Sequence, residues 1–97
     1  MNNLTEFVAS LALDRPDNDL SLPLKSLWYD AKGDWHQAHA QVDHANDQQS
    51  AWVHAYLHRK EGDVWNSNYW YGKAGQTPSN LSLKDEWEQL AAHFLAG

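Results

Sequence analysis

The chain reads as an all-α domain of five or six short antiparallel helices. Three observations predict this. Apolar residues recur at helical spacing, as Leu4, Phe7, Val8 and Leu11 do, and no run alternates cleanly enough for a strand. Asp or Ser stands before most apolar-periodic runs and Gly after several of them, the residues that start and stop helices. The intervening turns are short, which makes successive helices antiparallel neighbours.

"LTEFVASLAL" (residues 4–13) is the first expected helix, broken by Pro16 and a cluster of Asp and Asn. Pro23 suits the first turn of the second, "LPLKSLWYDAK", because an N–H is not needed there. Gly33 stops it and Asp34 can cap the third, "WHQAHAQVDHA". Asp47 can cap the fourth, "QQSAWVHAYLHRKE", which Gly62 ends. Asp63 can cap the fifth, "VWNSNYWYGKA", ended by Gly75. That run is made of poor helix formers, so packing or a site has to account for them. Ser82, with Asp85 three residues on, opens the last helix, "LKDEWEQLAAHFLA", as a variant of the capping box. Its apolar stripe is Leu83, Trp87, Leu90, Ala91 and Phe94. The organisation is one domain: helix and loop over 1–20, two helix–Gly-Asp–helix units over 21–75, and a C-terminal helix over 82–97.

A chain of 97 residues closes a small core, and six Trp and four Tyr supply much of its bulk. The formal charge is −6 with only seven Lys and Arg, and no basic stripe is present, so nucleic acid is not an expected partner. The absence of cysteine excludes disulfides, thiolate zinc sites and cysteine nucleophiles. No signal peptide or membrane span is read, so a cytoplasmic protein with no membrane partner is expected. Gly-rich phosphate loops, nucleophile elbows and paired catalytic carboxylates are not legible, and no catalytic residue is assigned.

The two central units share a frame. "LWYDAKGDWHQAHAQVDHA" and "YLHRKEGDVWNSNYWYGKA" align on Gly33-Asp34 and Gly62-Asp63 with a period of 29 residues. Five residues after each Gly comes a small residue (Ala38, Ser67), then a bulky one (Val42, Tyr71), then Ala45 or Ala74. Seven before each Gly stands another small residue, Ser26 or Ala55. This pattern resembles the tetratricopeptide repeat around its inter-helix turn, with a period shorter than the usual one of about 34. The run "HAYLHRKEGDVWNSNYWYGKAG" also resembles a small, functionally uncharacterised bacterial protein family with a "HAYLHRxEGDxxNxxYWYxxAG"-like signature. The first resemblance implies helical hairpins and an interaction role; the second brings no known activity with it.

In the repeat frame the bulky inward positions of the fourth helix are His54 and His58, at i, i+4 on one face, with Glu61 near their edge. His39 takes an inward position in the third helix and Asn68 its counterpart in the fifth. His39, His54, His58, Glu61 and Asn68, with Ser67 close by, are expected to approach one polar seam. Three chemistries fit it. Two His at i, i+4 plus a third ligand make a workable Zn²⁺ or Ni²⁺ set from His39, His54, His58 and Glu61. A His–Glu pair can act as a hydrolytic acid/base. A hydrogen-bonded seam without a ligand satisfies its own polar groups and fixes packing. "HAYLH" lacks the Glu of HExxH, so zinc-protease chemistry has no support. His36, His44 and His93 read as surface or helix-end residues.

Arg59 beside Trp52 and Tyr56 can stack or pair with an anion. Trp65, Asn66 and Tyr69 fall away from the inward face of the fifth helix, either under the last helix or on an exposed aromatic surface. The functional expectation is a helical interaction module that recognises a protein segment or a small polar ligand through His54, His58, Arg59, Trp65, Asn66 and Tyr69. A homodimer that buries the aromatic face is the further possibility.

Overall fold

The computed structural model describes residues 3–97, and every regular element among them is helical. The α-helices are α1 (Leu4–Ala9), α2 (Leu22–Ala31), α3 (Trp35–Val42), α4 (Gln48–Lys60), α5 (Val64–Ala74) and α6 (Leu83–Ala96). Each begins on a side-chain cap: Asn3, Ser21, Asp34, Asp47, Asp63 and Ser82 accept from the backbone N–H of the third residue of their helix. No described helix is long and apolar enough to cross a membrane.

α5 and α6 match their expected bounds, α2 and α4 end one residue early, and the first and third elements are markedly shorter than periodicity suggests. The first helix is α-helical only to Ala9 and tightens into a 3₁₀ turn at Ser10–Ala12. The buried Ser10 hydroxyl donates to the Phe7 carbonyl (2.6 Å) and accepts from the Trp28 indole (3.2 Å), which anchors that turn to α2. α3 ends at Val42 rather than Ala45, so Ala45 lies outside the helix. Asp47, in extended backbone (φ −79°, ψ 158°), caps α4.

α2/α3 and α4/α5 are helical hairpins with matching corners. At the first, Gly33 N–H donates to the Asp30 carbonyl and Asp34 N–H to that of Tyr29; at the second, Gly62 and Asp63 donate to Arg59 and His58. This pairing is the Schellman motif, and it needs left-handed backbone at the glycine, here φ 84° and 85°. Within each hairpin the close approach is a Ser against an Ala. Ser26 Oγ donates to the Ala38 carbonyl (2.7 Å), and Ser67 Oγ to that of Ala55 (3.0 Å). The serine is on the first helix of one hairpin and the second helix of the other.

α6 closes the domain, packing on α1, α2 and α4. The core gathers Phe7, Leu27, Trp28, Val42, Val53, Leu57, Trp87 and Leu90. Trp87 stacks on Phe7 and its indole donates to the Leu27 carbonyl (2.9 Å), tying α6 to α1 and α2. Leu83, at the start of the expected α6 stripe, remains exposed.

Candidate functional site

The seam forms where α3 of the first hairpin meets α4 of the second. The i, i+4 spacing puts His54 and His58 on one face of α4, where their rings lie near-parallel with centroids 4.9 Å apart. His39 reaches them from α3 and presents its edge to both, at 4.6 and 5.4 Å. His39 Nε2 and His54 Nε2 are 2.9 Å apart, a hydrogen bond in which one ring donates and the other accepts. His58 Nδ1 lies 2.6 Å from Glu61 Oε1. An ionised carboxylate only accepts, so the proton sits on His58 Nδ1 and its Nε2 is left as a lone pair when the ring is neutral.

Tryptophans wall the seam. Trp35, one turn before His39, stacks on that ring at 4.9 Å, and its indole donates to the Leu57 carbonyl (2.9 Å). Trp70 of α5 stacks on His54 at 4.0 Å. The His54 side chain is buried, and its Nδ1 has no hydrogen-bond partner within the protein. Whichever ring donates in the His39–His54 bond, that nitrogen stays unsatisfied. Burial holds the His54 imidazole neutral, with its pKa lowered to about 4, and the neighbouring His39 and His58 add to the effect. His39 is lowered as well, first by burial, with Asp43 opposing.

One ring nitrogen from each of His39, His54 and His58 lies within 4.8 Å of the others, a spacing that a metal ion can span. His58, Glu61 and Asp63 make a second such group. Asp63, however, is already engaged as the α5 cap, accepting from Asn66 N–H at one oxygen and Asn66 Nδ2 at the other.

The remaining expected residues are placed elsewhere. Asn68 does not join the histidines; it is exposed on a groove of 240 Å³ lined also by Arg59, Ser67, Tyr71 and Pro78. Its place on α5 is about 100° around the helix from Ser67, whose hydroxyl faces Ala55. Arg59 is directed away from the seam and tied to α6: Nη1 donates to Glu86 Oε1 (2.8 Å) and Nη2 to the Leu81 carbonyl. Tyr71 donates its hydroxyl to the other Glu86 oxygen. Trp65 and Tyr69 are not under α6. Their rings stack with 7° between planes on the outer side of α5, Trp65 is 75% exposed, and Lys73 lies over Tyr69 at 5.7 Å. His36, His44 and His93 are exposed.

Sequence reasoning passed over Trp35 and Trp70 as parts of the seam, and Glu86 entirely. Trp35 carried a signal, its i, i+4 spacing to His39. Glu86 carried one too, since it falls four residues before Leu90 on the buried face of α6.

The fold and the site together define an all-α double-hairpin domain with a three-histidine seam. Compared with protein-family models, curated proteins and solved structures, the chain has no significant match.

Proposed function

We propose that the protein is a small helical binding module whose site is the seam, and that the seam takes a small cation or a proton-donating group. The observation that carries this is the convergence of three imidazoles from two hairpins between tryptophan faces. Neutral imidazoles offer lone pairs, indole faces attract positive charge, and the chain is acidic overall. What supports a tetratricopeptide-like use of the hairpins is the match between their two corners and their Ser–Ala crossings.

Imidazole ¹⁵N spectra of the folded chain, titrated with zinc chloride, methylammonium and guanidinium, test the reading. It expects at least one of these cations to shift the ring nitrogens of His39, His54 and His58. Invariant shifts with all three overturn it.

The exposed Trp65–Tyr69 stack supports a second reading, a protein segment docking on the outer face of α5. Trp, Tyr and Arg dominate interface hot spots, and Trp65 is 75% exposed. Sedimentation velocity at micromolar protein separates the occupants. A dimer dissolved by Trp65→Ser makes the occupant a second copy, and a monomer leaves the face to a different partner.

A further inference from the structure

We propose that the seam is a binding site for a divalent transition metal of the zinc or nickel class, held by ring nitrogens of His39, His54 and His58. Glu61 is the carboxylate that orients His58. The proposal rests on the reading of the seam as a cation site and names the cation.

The donor chemistry selects the metal. Three imidazole nitrogens suit zinc, nickel or copper, whereas magnesium and calcium take oxygen. The geometry is close to what coordination needs. Zinc–nitrogen bonds of about 2.0–2.1 Å in a tetrahedron put neighbouring nitrogens about 3.3 Å apart. His39 Nε2 and His54 Nε2 are 2.9 Å apart, so a displacement of a few tenths of an ångström, with the shared proton passing to Nδ1 of the ring that carried it, replaces their hydrogen bond by two metal bonds. His58 needs no change of tautomer, because its Nδ1–H to Glu61 leaves Nε2 as the free lone pair. That arrangement is the carboxylate–histidine pairing found behind metal ligands, which fixes ring orientation and raises basicity.

Two features separate this seam from a hydrogen-bonded core. The three rings share one hydrogen bond, between His39 Nε2 and His54 Nε2, although a nitrogen of each lies within 4.8 Å of the others; His54 Nδ1, which has no protein partner, carries that ring's proton when Nε2 binds a metal. The donors also come from separate hairpins, so an ion adds to the polar contacts that already join them, Trp35 to the Leu57 carbonyl and Tyr56 and Lys60 to Asp30. Asp43 Oδ1 lies 3.8 Å from His39 Nε2, a carboxylate near the same ring nitrogen. The outer group of His58, Glu61 and Asp63 is a poorer site, since both Asp63 oxygens are occupied by Asn66.

The test uses the full chain stripped with a chelator, then titrated with Zn²⁺ and Ni²⁺ by calorimetry, with ring ¹⁵N spectra recorded alongside. The expected result is one ion per chain and a Tm rise of about 10 °C at a hundredfold excess over Kd. Shifts are expected at His39, His54 and His58 but not at His36, His44 or His93. His39→Ala, at a part-exposed position that leaves the core intact, is expected to weaken binding more than about 100-fold, and Glu61→Gln about 10- to 100-fold. Rescue of Glu61→Gln by Glu61→Asp marks Glu61 as a positioning residue. Binding that survives His39→Ala, or shifts confined to the surface histidines, overturns the site. If metals leave the seam rings unmoved while methylammonium or guanidinium shifts them, the metal proposal falls and the cation reading stands. If neither moves them, both fall.

Discussion

Glu86 has no exposed surface, and the two side chains that satisfy its carboxylate come from different helices: Arg59 of α4 and Tyr71 of α5. A buried charge without its partner is costly, so the pair is judged by what its loss does. Arg59→Ala is expected to destabilise the fold by about 3–5 kcal/mol in urea unfolding, and Tyr71→Phe by about 1–3 kcal/mol. An Arg59 that served only a surface ligand would leave stability within about 0.5 kcal/mol. His54 predicts a dependence on pH. Its folded pKa is about 4 against an ordinary 6.5, so between these values the unfolded chain takes up a proton that the folded chain refuses. The His54 contribution to stability therefore falls as pH drops from 6.5 and levels off below about 4, a loss of at most about 3 kcal/mol. His54→Gln is expected to flatten that part of the profile. An unchanged slope in the variant contradicts the assignment.

At the scale of elements, the corners and crossings of the hairpins explain why "VWNSNYWYG" is helical. Asp63 caps it, Ser67 bonds across to α4, and Tyr71 and Ala74 are buried, so tertiary contacts outweigh weak propensity. Gly62 has φ 85°, and a Cβ there would meet nothing within 4 Å. The cost of Gly62→Ala is thus a backbone cost of about 1–2 kcal/mol, read as a lower urea midpoint at constant m. The helix bounds were legible wherever a cap and a stop bracket the run, as Asp63 and Gly75 do for α5. They were not legible at the end of α3. "VDHAND" has no glycine, so no local stop signal marks where the chain leaves α3. The i, i+4 pair His54 and His58 was readable because one helix generates it. The stacking of Trp70 on His54 depends instead on how α5 lies against α4.

The whole molecule places two surfaces on opposite terms with its stability. The seam joins the hairpins, while the Trp65–Tyr69 face belongs to α5 alone and touches neither α6 nor the core. Trp65→Ser is accordingly expected to change unfolding free energy by less than about 0.5 kcal/mol. Phe7→Ala, which empties the contact with Trp87, is expected to cost about 3–5 kcal/mol. Equal losses in denaturant melts would mean that Trp65 is buried in solution. The same long-range logic ties Arg59 to Glu86 of α6. Its partner is 27 residues away on a helix whose docking no local pattern records.

By itself, the sequence determined the helices, the repeated Gly-Asp corners and the His54/His58 face, because capping, left-handed glycine backbone and 3.6-residue periodicity act within a few residues. The 29-residue frame extended that reach far enough to bring His39 to the seam. Tertiary structure alone decided that Asn68 faces another groove, that Arg59 is held by Glu86, and that Trp35 and Trp70 wall the histidines. Those outcomes follow from the angles and offsets at which helices pack, which depend on all the side chains of an interface at once.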